Sequence, residues 1–263
     1  MAQELNSTDE ETRHKKAQSL YDKGIHYGRA GKLDSALLFT QQAVDMLQDL
    51  KSSDSTLLAH AFQSLGIINK ILGKYDKAMI YYDQSEKIYK LKNDEFLLAY
   101  IYTNKSNISK IQQNYAKAED YLNQAILILR QDSLSYKDQL ANAYNNLGII
   151  YSNQKKYKKA IQYYNQSIAL KGEDTRAFRS YGNMSLCYKY LNNYELAEYY
   201  NLKAIKMAIA HYNNSENVNV SNSYTNYANL LKDQGKFEES EDYFWRAYKI
   251  YVHNFGQNHP YLS

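Results

Sequence analysis

The chain has one cysteine, one proline and one tryptophan in 263 residues, and no apolar run of membrane-spanning length. The lone cysteine, Cys187, excludes an internal disulfide framework and any CxxC zinc site. It falls between Leu186 and Tyr188 in a helical run, where a small buried hydrophobe is expected rather than a reactive thiol. A single proline and ten glycines argue against a loop-rich or collagen-like chain and favour long uninterrupted helices. Without a span-length apolar segment or the h-region of a signal peptide, no membrane insertion is expected. The start Met-Ala-Gln-Glu suits a cytoplasmic chain, and equally a periplasmic one whose signal peptide was removed before Ala2. Net charge is only +4, too small a field to support a dedicated nucleic-acid surface.

What the chain has in excess is tyrosine, 29 residues against seven phenylalanines. A ring with a polar tip suits helices buried on one side and wet on the other. The stretch Asp138–Lys171 shows the pattern best. Leu140, Tyr144, Leu147 and Tyr151 form one apolar stripe of helical period. A second stripe, Asn142, Asn146, Ile149 and Asn153, faces elsewhere and is mostly polar. Small Gly148 and Ala160 stand where two helices must approach closely. Such a unit cannot bury its stripe alone and must stack on neighbours.

Versions of this stretch recur. A small or polar residue, a spacer, an aromatic or Leu, and a small residue three positions later mark a hinge at Leu33, Tyr75, Tyr115, Tyr157, Tyr194 and Phe237. The successive separations are 42, 40, 42, 37 and 43 residues. A period near 40 is the mark of a solenoid, here six hairpins and twelve helices. The repeats span about 17–50, 57–92, 97–131, 138–171, 174–211 and 217–253, one array over 13–253. A polar segment, 1–12, precedes it, with Ser7 or Thr8 as helix cap ahead of acidic residues. Polar connections such as Lys92-Asn93-Asp94, Gly172-Glu173-Asp174 and Asn213-Asn214-Ser215-Glu216 separate the hairpins.

These residues resemble the tetratricopeptide repeat family. Residues 138–171 supply Tyr144, Leu147-Gly148, Tyr151, Tyr157, Ala160, Tyr164 and Ser167; residues 57–92 supply Phe62, Leu65-Gly66, Gly73, Tyr75, Ala78, Tyr82 and Ser85. The resemblance implies an all-α, right-handed superhelix of about six hairpins. The family's usual proline after the second helix is missing, so polar residues must end those helices. The long spacing resembles kinesin light chains and related bacterial proteins, including arrays that precede CHAT-type proteases. Phe255-Gly256-Gln257-Asn258-His259-Pro260 resembles the G-x-x-H-P boundary between such repeats. On that basis residues 254–263 begin a truncated further repeat, the chain is expected to be part of a longer protein, and uncapped ends offer a route to self-association.

Signals for catalysis are weak. The six histidines lack metal spacing, and no phosphate-binding loop, dinucleotide fingerprint or nucleophile elbow occurs. No enzyme activity and no cofactor or metal are therefore expected. The candidate surface is the inner face of the first helices. Asp22, Ser64, Asn104, Asn146, Asn183 and Asn226 share one repeat position, with Asn145 beside one rung. An asparagine offers both donors and an acceptor to an extended peptide backbone, although Asn is also common on polar faces. Six residues further on lie Gly28, Lys70, Lys110, Ser152, Lys189 and Lys232, whose lysines would attract acidic groups or simply be solvated. The carboxylate clamp of chaperone-binding family members finds its nearest match in Thr103 with Asn107, Asn146, and Arg179 with Asn183, fitting three of five places. The lysines at 155, 156, 158 and 159 bracket a hinge, and the doubled tyrosines at 81–82, 163–164 and 199–200 read as packing residues. The expected partner is a protein or extended peptide held in a concave groove, with Ile67, Ile149 and Leu186 receiving apolar anchors. The alternative is the regulatory arm of a larger protease or sensor kinase.

Overall fold

The computed structural model describes residues 2–49, 55–172 and 174–256. Among these are twelve α-helices, one short 3-10 turn at Thr175–Ala177, and no strand. The helices pair in sequence: α1 (Ala2–Arg29) with α2 (Leu33–Gln48), α3 (Ser55–Ile71) with α4 (Tyr75–Lys92), and α5 (Glu95–Ile111) with α6 (Tyr115–Leu129). Then come α7 (Lys137–Asn153) with α8 (Tyr157–Lys171), α9 (Phe178–Tyr190) with α10 (Tyr194–Tyr212), and α11 (Val218–Asp233) with α12 (Phe237–Phe255). They gather into two compact units, Met1–Ile128 and Leu129–Ser263, each built from three hairpins.

Each hinge residue read from the sequence is the first residue of a second helix. Two positions earlier the backbone turns left-handed, at Gly31, Gly73, Gln113, Lys155, Asn192 and Gly235. That turn ends the first helix: Gly73 N–H donates to Lys70 O at 3.1 Å and Lys74 N–H to Asn69 O at 2.8 Å. The paired bonds satisfy carbonyls that the helix end would leave open. The helices that lack a following proline end on polar residues as anticipated, with Asn93 and Asn213 left-handed. Asp94 then caps α5 by accepting from Leu97 N–H at 3.1 Å. At the other end of the chain, α1 already runs from Ala2, so Ser7 and Thr8 lie inside it rather than capping it. The His259-Pro260 boundary motif lies outside the described residues.

The tyrosines have a repeated place. In the second unit Tyr163 of α8 stacks on Tyr144 and Tyr151 of α7, with centroids 6.2 and 5.3 Å away. Tyr200 of α10 stacks in the same way on Tyr181 and Tyr188 of α9, at 6.0 and 5.4 Å. In the first unit Tyr81 meets Phe62, and Tyr121 meets Tyr102. Offset ring pairs of this kind contribute about 0.5–1.5 kcal/mol each beyond their buried area. The next residue in two of these helices, Tyr82 or Tyr164, is buried against the glycine of the first helix, Gly66 or Gly148. The doubled tyrosines at 81–82 and 163–164 are thus packing residues, whereas of the pair at 199–200 only Tyr200 packs and Tyr199 is exposed. Leu140, Tyr144, Leu147 and Tyr151 are all buried, so the apolar stripe of α7 is the face turned into the core.

Candidate functional site

With one stripe of each first helix committed to the core, the polar stripe of the same helix is left as the inner face. In the first unit this face carries two lysines that meet no carboxylate among the described residues. Lys70 Nζ donates to Asn104 Oδ1 at 2.7 Å, and Lys110 Nζ to Asn107 Oδ1 at 3.4 Å. Asn104 is only 5% exposed, and its amide nitrogen donates to Tyr100 O at 3.1 Å. Both ends of that side chain are thereby engaged, so Asn104 holds Lys70 in place. Burial lowers the pKa of both lysines, and the charge of Lys110 lowers that of Lys70 further. Two cations are thus half-withdrawn from water, and among the described residues they bond neutral amides. An anion supplied from outside would offset that cost. Ile67 is half-buried, and Ile71 and Ile111 are exposed beside them.

In the second unit the asparagines divide. Asn145 Oδ1 accepts from Ser180 Oγ at 3.0 Å and from Asn183 Nδ2 at 3.3 Å, and Ser180 is itself 3.0 Å from Ser167 Oγ. This short polar chain links α7, α8 and α9. Asn146 is half-buried and Asn226 exposed, and neither makes a side-chain hydrogen bond among the described residues. Ile149 and Leu186 stand near Asn146 and Asn183 on the same helix faces, half-buried and exposed respectively. Lys189 is neutralised by Asp233 at 2.9 Å, whereas Lys232 is exposed. Arg179 is exposed, its guanidinium 5.5 Å from the ring centre of Phe178. The structure therefore brings Lys70 to Asn104, Lys110 to Asn107, and Asn145 to Asn183. Among the described residues Asn146, Asn226, Lys232 and Arg179 make no side-chain hydrogen bond or ion pair.

Sequence reasoning passed over Ser180, because a buried serine on an apolar stripe carries no periodic signal. It also passed over Lys105, which is 3% exposed and paired with Asp83 and Glu86. Cys187 is buried and bonds Ser152 Oγ at 3.6 Å, and burial raises its pKa, so it is a core thiol. The hinge lysines stay on the surface, with Lys159 set 4.1 Å from the Tyr151 ring centre. No cluster of three or more His, Cys, Asp or Glu side chains able to hold a metal occurs among the described residues. No helix among them is long and apolar enough to cross a membrane.

Paired helices stacked by a repeated small-residue contact, with a polar inner face, define a helical repeat scaffold for protein interaction. Three family models described as tetratricopeptide repeat match residues 59–90, 97–173 and 220–261, together more than half of the chain. The chain belongs to the tetratricopeptide repeat family. Its fold is similar to that of RapI in the apo form, with a TM-score of 0.71 at 15% identity over 89% of this chain and 97% of that one. BtubC (BKLC) from P. vanneervenii gives 0.63 at 20% identity, over 80% and 92%. A signal transduction ATPase with numerous domains and a tetratricopeptide repeat sensor, PH0952 from Pyrococcus horikoshii, gives 0.68 at 18%, over 90% and 37%. Among curated proteins no sequence match is found.

Proposed function

We propose that the chain is a binding scaffold whose inner faces take an extended protein segment, and that the first unit selects one carrying an acidic group. The observation that carries this reading is the pair Lys70 and Lys110, both desolvated and both held by an asparagine rather than by a carboxylate. Preorganised cations on helices can meet a carboxylate without further ordering of the site. Ile67, Ile71 and Ile111 give the neighbouring side chains of such a segment an apolar surface. In the second unit Asn146 and Asn226, with unused amide donors and acceptors, suit a peptide backbone.

The test uses an array of N-acetylated decapeptides with Asp or Glu placed at each position, followed by titration calorimetry on the hits. The double variant K70Q/K110Q should bind the acidic hits at least tenfold more weakly and melt as cooperatively as the parent. Alanine at both Asn146 and Asn183 should weaken hits bound by the second unit. Acidic peptides that bind parent and K70Q/K110Q alike would remove the electrostatic reading. A second reading, a sensor arm within a larger signalling protein, is supported by the resemblance to the sensor repeats of PH0952, of which the matched part is 37%. The natural reading frame around this sequence distinguishes a free scaffold from such an arm.

A further inference from the structure

In the second unit, a cavity of about 140 Å³ opens where α7, α8, α9 and α10 meet the connection after Lys171. Its polar lining is Asp138, Asn142, Lys171, Arg176, Arg179 and His211. Among the described residues the two carboxylates beside it, Asp138 and Asp174, both bond Arg176. Arg176 reaches Asp138 Oδ2 at 2.6 Å through one terminal nitrogen, and grips Asp174 through Nε and the other at 3.0 and 2.6 Å. That wall holds two carboxylates and one guanidinium, and Lys171 with Arg179 makes the described lining net positive by one charge.

The other wall has spare donors. Lys171 Nζ donates to Asn142 Oδ1 at 3.1 Å and to Arg176 O at 3.4 Å, which leaves one of its three N–H groups. Because Asn142 accepts through its oxygen, its amide nitrogen is free to donate. Arg179 makes no ion pair among the described residues. His211 Nδ1 is 3.1 Å from Thr175 Oγ1. Lys171, Asn142 and Arg179 thus bring to one small cavity N–H groups that no bond among the described residues uses.

We propose that this cavity binds the phosphate group of a monoester. A phosphate offers three terminal acceptor oxygens and nearly two charges, enough to engage Lys171, Arg179 and the neutral donors together. A carboxylate has two oxygens and would leave donors unmet. The volume is well below the roughly 300–1,000 Å³ of drug-sized ligand pockets, so only the charged group would enter and the rest of the ligand would lie outside. Lys171 is half-buried, and its pKa is depressed by burial first and by Arg176 next, with Asp138 and Asp174 offsetting only part of this. The site is separate from Lys70 and Lys110, so its failure would leave the reading of the first unit untouched.

The experiment titrates the full chain, at fixed ionic strength, with inorganic phosphate, with acetate, and with N-acetyl hexapeptides containing serine or phosphoserine. Saturable phosphate binding is expected, with acetate at least tenfold weaker. R179Q and K171Q should each weaken phosphate at least tenfold, and K158Q, which removes a solvated hinge lysine, should leave it unchanged. If K171Q melts abnormally, the exposed Arg179 carries the test. A phosphoserine peptide that binds tenfold tighter than inorganic phosphate would assign the ligand to a phosphorylated chain; equal binding would assign it to free phosphate. The proposal is overturned if R179Q binds phosphate like the parent, if K158Q is weakened as much as R179Q, or if acetate competes equally.

Discussion

The ring of Tyr164 on α8 fills the space that a β-carbon on Gly148 of α7 would occupy, and Tyr82 stands to Gly66 in the same way. Nine residues before the hinges at Tyr115 and Tyr194 the small residue is serine instead, and what faces it changes too. Ser106 donates to Ala118 O at 2.7 Å and Ser185 to Ala197 O at 2.6 Å. The equivalents of Tyr164 in these hairpins are Leu122 and Asn201. In these four hairpins contact between the helices is thus kept either by a ring on glycine or by a serine hydroxyl bond.

Gly148→Ala should therefore lower stability by about 1–3 kcal/mol, because the rigid ring cannot yield without moving α8. Adding Tyr164→Leu, the residue type of the Ser106 hairpin, should recover part of that loss. Urea unfolding of both variants reads the difference. An unchanged midpoint for the single variant would show that the ring shifts at no cost.

Lys155 and Gly73 occupy the same left-handed turn, with φ of 60° and 71°. Holding an L-residue there costs about 1–2 kcal/mol, against roughly 0.5–1 for the extra chain entropy of glycine. Lys155→Gly should raise stability by about 0.5–1 kcal/mol, and Gly73→Ala should lower it by about 1 kcal/mol. Thermal melts of the pair should move in opposite directions.

Two buried tyrosines should respond oppositely to loss of their hydroxyls. The Tyr82 hydroxyl is buried and has no hydrogen-bond partner, whereas that of Tyr164 bonds Ser152. Tyr82→Phe should stabilise by up to about 1 kcal/mol, since an unsatisfied polar group is removed, and Tyr164→Phe should destabilise by about 1 kcal/mol. Chemical denaturation at neutral pH compares them directly.

Lys105 bridges Asp83 and Glu86, and Lys90 reaches Glu86 at 2.6 Å. Burial alone would raise the Glu86 pKa, but hydrogen bonds from Lys105 and then Lys90 outweigh it and hold the group below its ordinary 4.5. Burial would likewise lower the Lys105 pKa, and its bonds to Asp83 and Glu86 overcome this and raise it above 10.5. A depressed carboxyl stabilises the fold above its unfolded pKa and loses that contribution as pH falls through the folded value. A raised ammonium stabilises below its unfolded pKa and loses that contribution as pH climbs through the folded one. Stability should therefore fall below about pH 4.5 and again above about pH 10.5. Lys105→Met should cost about 3 kcal/mol at pH 7, the low end for a broken buried pair, because Asp83 is half-exposed. It should also weaken the acid and alkaline limbs. Denaturation across pH checks both.

Periodicity was enough to locate the helices. The stripe of Leu140, Tyr144, Leu147 and Tyr151, the hinges at residues 33 to 237 and the small residues at 66 and 148 are local patterns, and each maps onto a helix start, a buried face or a close contact. The reason is that helix geometry ties spacing to direction, so every copy of the pattern faces the same way within its hairpin. Which polar residues stay available is another matter. Asn104, Asn146 and Asn226 are equivalent in sequence, yet the first is buried and doubly bonded, the second half-buried and the third exposed. Lys189 and Lys110 are likewise equivalent, and only Lys189 meets a carboxylate. Those outcomes depend on what a neighbouring helix, some 34 to 44 residues away, places opposite each side chain. The sequence by itself determined the repeat, its hinges and its stacking contacts; only the tertiary structure decided which asparagines and lysines remain free, because hydrogen bonds and ion pairs are settled across helices and not along them.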